Sequence, residues 1–255
     1  MILKLLDFQQ LFKIEMAFIF TYPIDFITCT GLQGLPKFDV TGGAGAQTIT
    51  TGAALSTVDG GAGADTIILG AGNAVVDIVS VVATESTAVV AGATTAGTLS
   101  GYDNVTNFHL GDGVTNSDNL NVGGTGAIAT TTGAQDGTDS ALQMNTGNVI
   151  QSSSTAVSGK ITFATGSNTY GSGTVVTPTT TGDVAAIAQY LATLDIGGAA
   201  GESVFFTATV GSTAHTYVWT QSSANAGGDF IDLVGVTATA LITTNLTTGS
   251  ALFIS

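Results

Sequence analysis

The chain reads as an all-β protein: a short parallel β-roll or β-solenoid, followed by a β-rich C-terminal region with one amphipathic helix. Three observations predict this. A glycine-rich pattern of nine residues, aliphatic at its eighth position, recurs in phase from Gly42. The 255 residues include 35 Gly but only 9% charged and 7% aromatic residues, and they are rich in Thr and other β-branched residues, a composition suited to short strands and tight turns. Several later segments are short runs of apolar, β-branched and aromatic residues bounded by turn signals.

Residues 1–37 differ from the rest. They hold three of the four lysines (Lys4, Lys13, Lys37), the lone cysteine Cys29 and two of the three prolines. The apolar run Met16–Ile27 is broken by Pro23 and Asp25, so it is too short and too interrupted to span a bilayer. No transmembrane segment is predicted. As a secretory signal it is poor, because acidic residues sit among its basic ones and no A-x-A site follows. These residues are expected to be an atypical leader, or the remnant of a longer protein, and to be poorly ordered.

From Phe38 onward one lysine, Lys160, faces fifteen carboxylates, which accounts for the net charge of −14. Nucleic acid is excluded as a partner, since no basic patch exists to replace phosphate counterions. Divalent cations suit such a surface. A single cysteine excludes both an intrachain disulfide framework and a multi-cysteine zinc site.

Counting in nines gives 42–50 (GGAGAQTIT), 51–59 (TGAALSTVD), 60–68 (GGAGADTII) and 69–77 (LGAGNAVVD). The eighth position is Ile49, Val58, Ile67 and Val76, the inward strand residue of a roll. The sixth position, Gln47, Ser56, Asp65 and Ala74, carries a carboxylate once. In a roll, turns eighteen residues apart stack, which places Gly42, Gly43, Gly45 and Gln47 beside Gly60, Gly61, Gly63 and Asp65. Asp59 flanks the second turn, and Asp77 is expected to stack eighteen residues after it. Glycine carbonyls, one amide oxygen and one or two carboxylates are ligands for a hard cation, and Ca²⁺ is the expected one. So few charges predict weak binding of one or few ions, roughly 10⁻⁴–10⁻³ M.

Thr87–Leu99 is low-complexity, read as further solenoid or a surface loop. Asp103-Asn104-Val105-Thr106-Asn107-Phe108, Gly111-Asp112-Gly113 and Asp118-Asn119-Leu120-Asn121-Val122 follow. Val105, Phe108, Leu120 and Val122 are core candidates; Asp103, Asp112 and Asp118 are further candidate oxygen ligands. Residues 38–122 thus form a first unit. A Gly/Thr/Ser-rich β region spans 123–181, with a strand at Lys160–Thr165 and a break at Pro178. A C-terminal unit covers 182–255. Its helix is predicted at Asp183–Leu194, with Val184, Ile187, Leu191 and Leu194 on one face. Thr181, Gly182 or Asp183 caps its start and Gly197-Gly198 stops it. Ser203–Val210 and His215–Gln221, joined at Gly211-Ser212, read as a hairpin with Phe205, Tyr217 and Trp219 on its packed face. His109 and His215 have no partner at a telling spacing. Strands at Phe230–Val236 and the uncharged end Ala251–Ser255 complete the chain.

The nonapeptides, the D-x-V-x-x-F…G-x-G…D-x-L-x-V segment at 103–122 and the helix–hairpin–strand order at the C terminus resemble RTX proteins exported by type I secretion, in the style of S-layer proteins and the tails of serralysin-like proteases. The resemblance covers roughly 38–255. It implies calcium-bound turns, an Asp and a Phe that close the roll, and an uncleaved C-terminal export signal recognised by the type I secretion machinery, with folding outside the cell.

No H-E-x-x-H, G-x-S-x-G, phosphate loop or Cys/His arrangement is present. The expectation is therefore a non-enzymatic, extracellular, calcium-binding structural or surface protein, with cell-surface polysaccharide or self-association as further partners. The alternatives are an adhesin or carbohydrate-binding module that uses Tyr217 and Trp219, and the C-terminal remnant of a larger secreted enzyme.

Overall fold

The structure, a computed structural model, describes residues 3–4, 16–19, 26–28, 38–53, 55–71, 76–81, 84–93, 96–111, 117–122, 127–129, 133–135, 142, 144, 150–165, 173–193, 201–222, 228–246 and 249–255. Among the described residues the protein is mostly β, with one helix. Eight short strands come first: β1 (Leu3–Lys4), β2 (Met16–Ile19), β3 (Phe26–Thr28), β4 (Phe38–Thr41), β5 (Thr48–Thr50), β6 (Ser56–Asp59), β7 (Thr66–Ile68) and β8 (Ile78–Ser80). Odd-numbered strands lie in one sheet and even-numbered strands in a second. From β3 onward each pairs in parallel with the strand two places earlier. The described parts of residues 1–37 therefore extend the same two sheets.

The eighteen-residue step holds where the glycine pattern is regular. Phe38 lies opposite Ser56 and Thr48 opposite Thr66. It slips at the fourth unit, where Thr57 pairs with Ile78 and Val58 with Val79. The inward residue is therefore Val79, fully buried, and not Val76. Asp77 correspondingly aligns with Ser56, and Asp59 pairs with Ser80 instead of stacking under Asp77. Three additional residues in that turn shift the frame, and Val76 and Val79 are both aliphatic, so both frames satisfy the pattern.

The middle of the chain adds β9 (Val89–Ala93), β10 (Ala96–Ser100), β11 (Asp103–Thr106), β12 (Asn119–Asn121), β13 (Ala127–Ile128), β14 (Gly133–Gln135), β15 (Ser152–Thr155), β16 (Ile161–Ala164) and β17 (Val175–Val176). Then follow α1 (Thr181–Leu191), β18 (Glu202–Val210), β19 (Thr213–Gln221), β20 (Gly228–Val234), β21 (Leu241–Leu246) and β22 (Gly249–Ile254). In the segment read as further solenoid or a surface loop, β9 and β10 pair antiparallel with each other and with neither of the two parallel sheets. The first sheet runs β1-β3-β5-β7-β11-β20-β19-β18-β13 and the second β2-β4-β6-β8-β12-β22-β21. Both sheets are open. β11 is parallel to both β7 and β20, so the C-terminal strands continue the sheet begun by the glycine-rich units.

One core fills the space between these sheets. Ile49, Ile67 and Val105 from the first face Val58, Val79 and Leu120 from the second, all 0% exposed. Phe108 and Val122 join them, and Phe205, Val218, Ile231 and Leu233 extend the same layer. Alternation along each strand produces this directly, because successive side chains point to opposite faces. The other face of β18–β20 carries Val204, Phe206, Tyr217, Trp219 and Phe230 into a second core with α1, Ile161 and Phe163. Phe205 thus faces away from Tyr217 and Trp219; its neighbour Phe206 shares their face, stacked on Tyr217 at 5.1 Å.

The helix begins two residues before the expected Asp183. Thr180 is its N-cap, accepting from the Asp183 N–H, while the Asp183 carboxylate accepts from the N–H groups of Thr179 and Thr180. That is a capping box with Asp in place of Glu. Val184, Ile187 and Leu191 are buried as their spacing predicts, but so are Ala185, Ala186, Ala188 and Tyr190. The helix is covered on a second side, where β9 and β10 lie against it. Leu194 and Gly197-Gly198 lie outside the described residues.

Candidate cation site

The turns Gly42–Gln47 and Gly60–Asp65 stack directly. Gly42 N–H donates to Asp59 O at 2.7 Å and Gly45 N–H to Ala62 O at 2.6 Å. At Gly63, where φ is +138°, a Cβ would lie 2.7 Å from Gly45 O; at Gly61, where φ is +78°, it would lie 2.5 Å from Gly43 O. Only glycine allows both the backbone angle and this approach. Gln47 holds the first turn closed: its side-chain oxygen accepts from Gly43 N–H at 3.2 Å and its amide donates to Gly45 O.

Carboxylates run up the two sheets in columns. In the first, Asp65 Oδ1 accepts from Gln47 N–H at 2.7 Å, and Asp103 Oδ1 accepts from Asp65 N–H at 2.8 Å. In the second, Asp77 Oδ1 accepts from Ser56 N–H and Asp118 Oδ1 from Asp77 N–H, both at 2.8 Å. Asp118 Oδ2 takes a further N–H from His109 at 2.7 Å. Each acid stands just before or at the start of a strand and satisfies a main-chain donor one layer below, which a buried N–H requires. Burial pushes Asp103 up to about 8, offset in part by the Asp65 N–H bond, and pushes Asp77 up to about 7, with the Asp118 charge adding to it.

Asp65 differs from the others. It is 0% exposed, and its Oδ2 is buried without a hydrogen-bond partner. That oxygen lies where a Cβ on Gly60 would collide with it. Burial is the main reason its carboxyl is pushed up to about 6, and the charges of Asp59 and Glu85 push in the same direction. Asp59 Oδ1 accepts from Gly61 N–H at 2.9 Å. An orphaned buried carboxylate oxygen amid further negative charge is costly unless a proton or a cation neutralises it.

The residues expected to act together are thus brought together at Gly42, Gly43, Gly45, Gln47, Asp59, Gly60, Gly61, Gly63 and Asp65. Asp103 joins Asp65 as a main-chain acceptor. Asp77 and Asp118 belong to the second sheet's column, separate from this turn, and Asp112 lies outside the described residues. Glu85 is a residue the repeat does not announce. It is the only Glu between Phe38 and Gly201, but nothing in a nine-residue pattern aligns it with Asp65. Among the described residues no three His, Cys, Asp or Glu side chains are grouped closely enough to hold a metal ion by themselves. An ion here would draw most of its shell from main-chain carbonyls, as calcium tolerates and zinc does not.

The aromatic hairpin offers no contact surface through its largest rings, since Tyr217 and Trp219 are each 2% exposed. His215 has a partner invisible in sequence: its Nδ1 lies 2.9 Å from both carboxylate oxygens of Asp232, seventeen residues away, and its ring stacks on Tyr217. Among the described residues no helix is long and apolar enough to cross a membrane. No protein-family model, curated protein sequence or solved structure matches this chain.

Proposed function

We propose that this is a non-enzymatic, extracellular, calcium-binding structural or surface protein of S-layer-like character, whose glycine-rich turns form a short RTX-type β-roll. The observation that carries this reading is Asp65, a fully buried carboxylate with one oxygen orphaned, on a turn stacked against a second glycine-rich turn. Bound calcium would supply positive charge to that oxygen, and Gly-lined turns would offer carbonyls. The alternation of eight parallel strands between two sheets, with an eighteen-residue step at β4–β7, supports the roll. The helix, aromatic hairpin and uncharged C-terminal strand support a type I export region at 182–255. Acidity supports late folding, because excess negative charges repel one another until cations screen or bind them.

Calcium titration of chelator-stripped protein, followed by circular dichroism and scanning calorimetry, tests this. A rise in melting temperature that saturates in the millimolar range is expected. No change in either signal through that range would overturn it.

A further inference from the structure

We infer that Glu85, which lies outside the glycine repeats, adds its negative charge to the Asp65 cation site from outside the ligand shell and tunes its affinity, with Asp229 as its positioning residue. This rests on the calcium reading of the turn.

Three observations hold the main chain of Glu85 on that turn. Its carbonyl accepts from Gly63 N–H at 3.0 Å, which seats the residue directly on the turn Gly60–Asp65. The N–H groups on either side of it are held by one buried carboxylate: Thr84 N–H reaches Asp229 Oδ2 at 3.1 Å and Ser86 N–H reaches Asp229 Oδ1 at 3.2 Å. Ser86 Oγ also donates to Phe230 O at 2.7 Å. Finally, Thr84 has a φ of 77°, a left-handed conformation that a β-branched residue adopts only when its surroundings impose it.

This arrangement gathers negative charge around Asp65 Oδ2, the buried oxygen that has no hydrogen-bond partner. The charges of Asp59 and Glu85 both act on Asp65, whereas Lys160 is the only lysine beyond residue 37 and the chain has no arginine. Left alone, three such carboxylates repel one another. A strained segment that the buried Asp229 clamps, and that seats Glu85 on the Gly60–Asp65 turn, makes sense when a cation lies at Asp65, with Glu85 acting on it through a water. Ligand charge is what tunes calcium affinity at such sites.

The consequence is an effect of opposite sign in two conditions. In chelator, Glu85→Gln removes a repulsion, so the melting temperature should stay level or rise. In millimolar calcium the same variant should melt below wild type, and its calcium affinity should fall about tenfold or more. Glu85 is only partly buried, so the variant should fold. Wild-type affinity in Glu85→Gln, with Asp65→Asn unable to bind, would overturn the role of Glu85 and leave the calcium reading standing. An equal loss of stability in chelator and in calcium would reduce Glu85 to a structural part and also overturn it. Absence of any calcium response in wild type would overturn both.

Discussion

The main-chain N–H of Asp65 donates to the carboxylate of Asp103 at 2.8 Å, while the carboxylate of Asp65 accepts from the N–H of Gln47. One residue is thus donor upward and acceptor downward, and the same relation links Asp118, Asp77 and Ser56 in the other sheet. Acids in these columns have a structural role independent of any cation. Asp103→Ala strands a buried N–H, and a loss of about 1–3 kcal/mol is expected. Asp103→Asn keeps an acceptor oxygen and should cost much less. Urea unfolding of both variants at pH 7 checks the contrast; equal midpoints would contradict it.

The same columns set a pH dependence. A carboxyl whose folded-state pKa lies above its unfolded value binds a proton more readily in the fold, so stability falls as pH rises through that interval. The interval runs from 3.8 to about 6 for Asp65, to about 7 for Asp77 and to about 8 for Asp103. In chelator the melting temperature should therefore decline from pH 5 to pH 8, the reverse of ordinary acid denaturation. Calcium, which favours the charged form of Asp65, should flatten that slope. A melting temperature that rises over this range would refute the assignment.

Glycines with positive φ should respond according to their neighbours. Gly211 has a φ of 65°, and nothing lies within 4 Å of where a Cβ would stand, so Gly211→Ala should cost only the left-handed penalty of about 1–2 kcal/mol. Gly63→Ala also collides with Gly45 and should cost more, separating the two stacked turns. Chemical denaturation that ranked the two variants in the opposite order would contradict the stacking.

His215 and Asp232 form a partly buried pair on β19 and β20. His215→Ala leaves the carboxylate without its partner, and at pH 7 a loss of about 1–3 kcal/mol is expected. The loss should shrink at pH 5, because Asp232, raised to about 6 by burial even with His215 present, then takes up a proton and is neutral. Thermal melts at the two pH values check this; a loss that grows at pH 5 would contradict it.

Legibility in the sequence depends on whether a residue's partner lies within the repeat. The turns at 42–47 and 60–65, the inward Ile49, Val58 and Ile67, and the core roles of Val105, Phe108, Leu120 and Val122 follow from glycine spacing and strand alternation. The slip at Val76 is hidden because Val79 satisfies the same pattern three residues later. Asp103 reaches Asp65 over thirty-eight residues, Asp118 reaches Asp77 over forty-one, and Asp229 reaches Ser86 over 143. No local periodicity encodes such distances; they arise because β9 and β10 leave the sheets and the chain then returns to them. Phe205 lies on the face opposite to the expected one because Phe206 beside it is equally aromatic, and hydrophobicity alone does not choose between adjacent residues of a strand buried on both sides.

Asp65→Asn offers the sharpest comparison, since the amide retains an oxygen for Gln47 N–H and removes only the charge. Titration calorimetry of chelator-stripped wild type and this variant with calcium is the most direct measurement. Saturable binding by wild type at roughly 10⁻⁴–10⁻³ M, with little or none in Asp65→Asn, is the predicted result. Equal binding by both proteins, or none by wild type, would contradict the central claim.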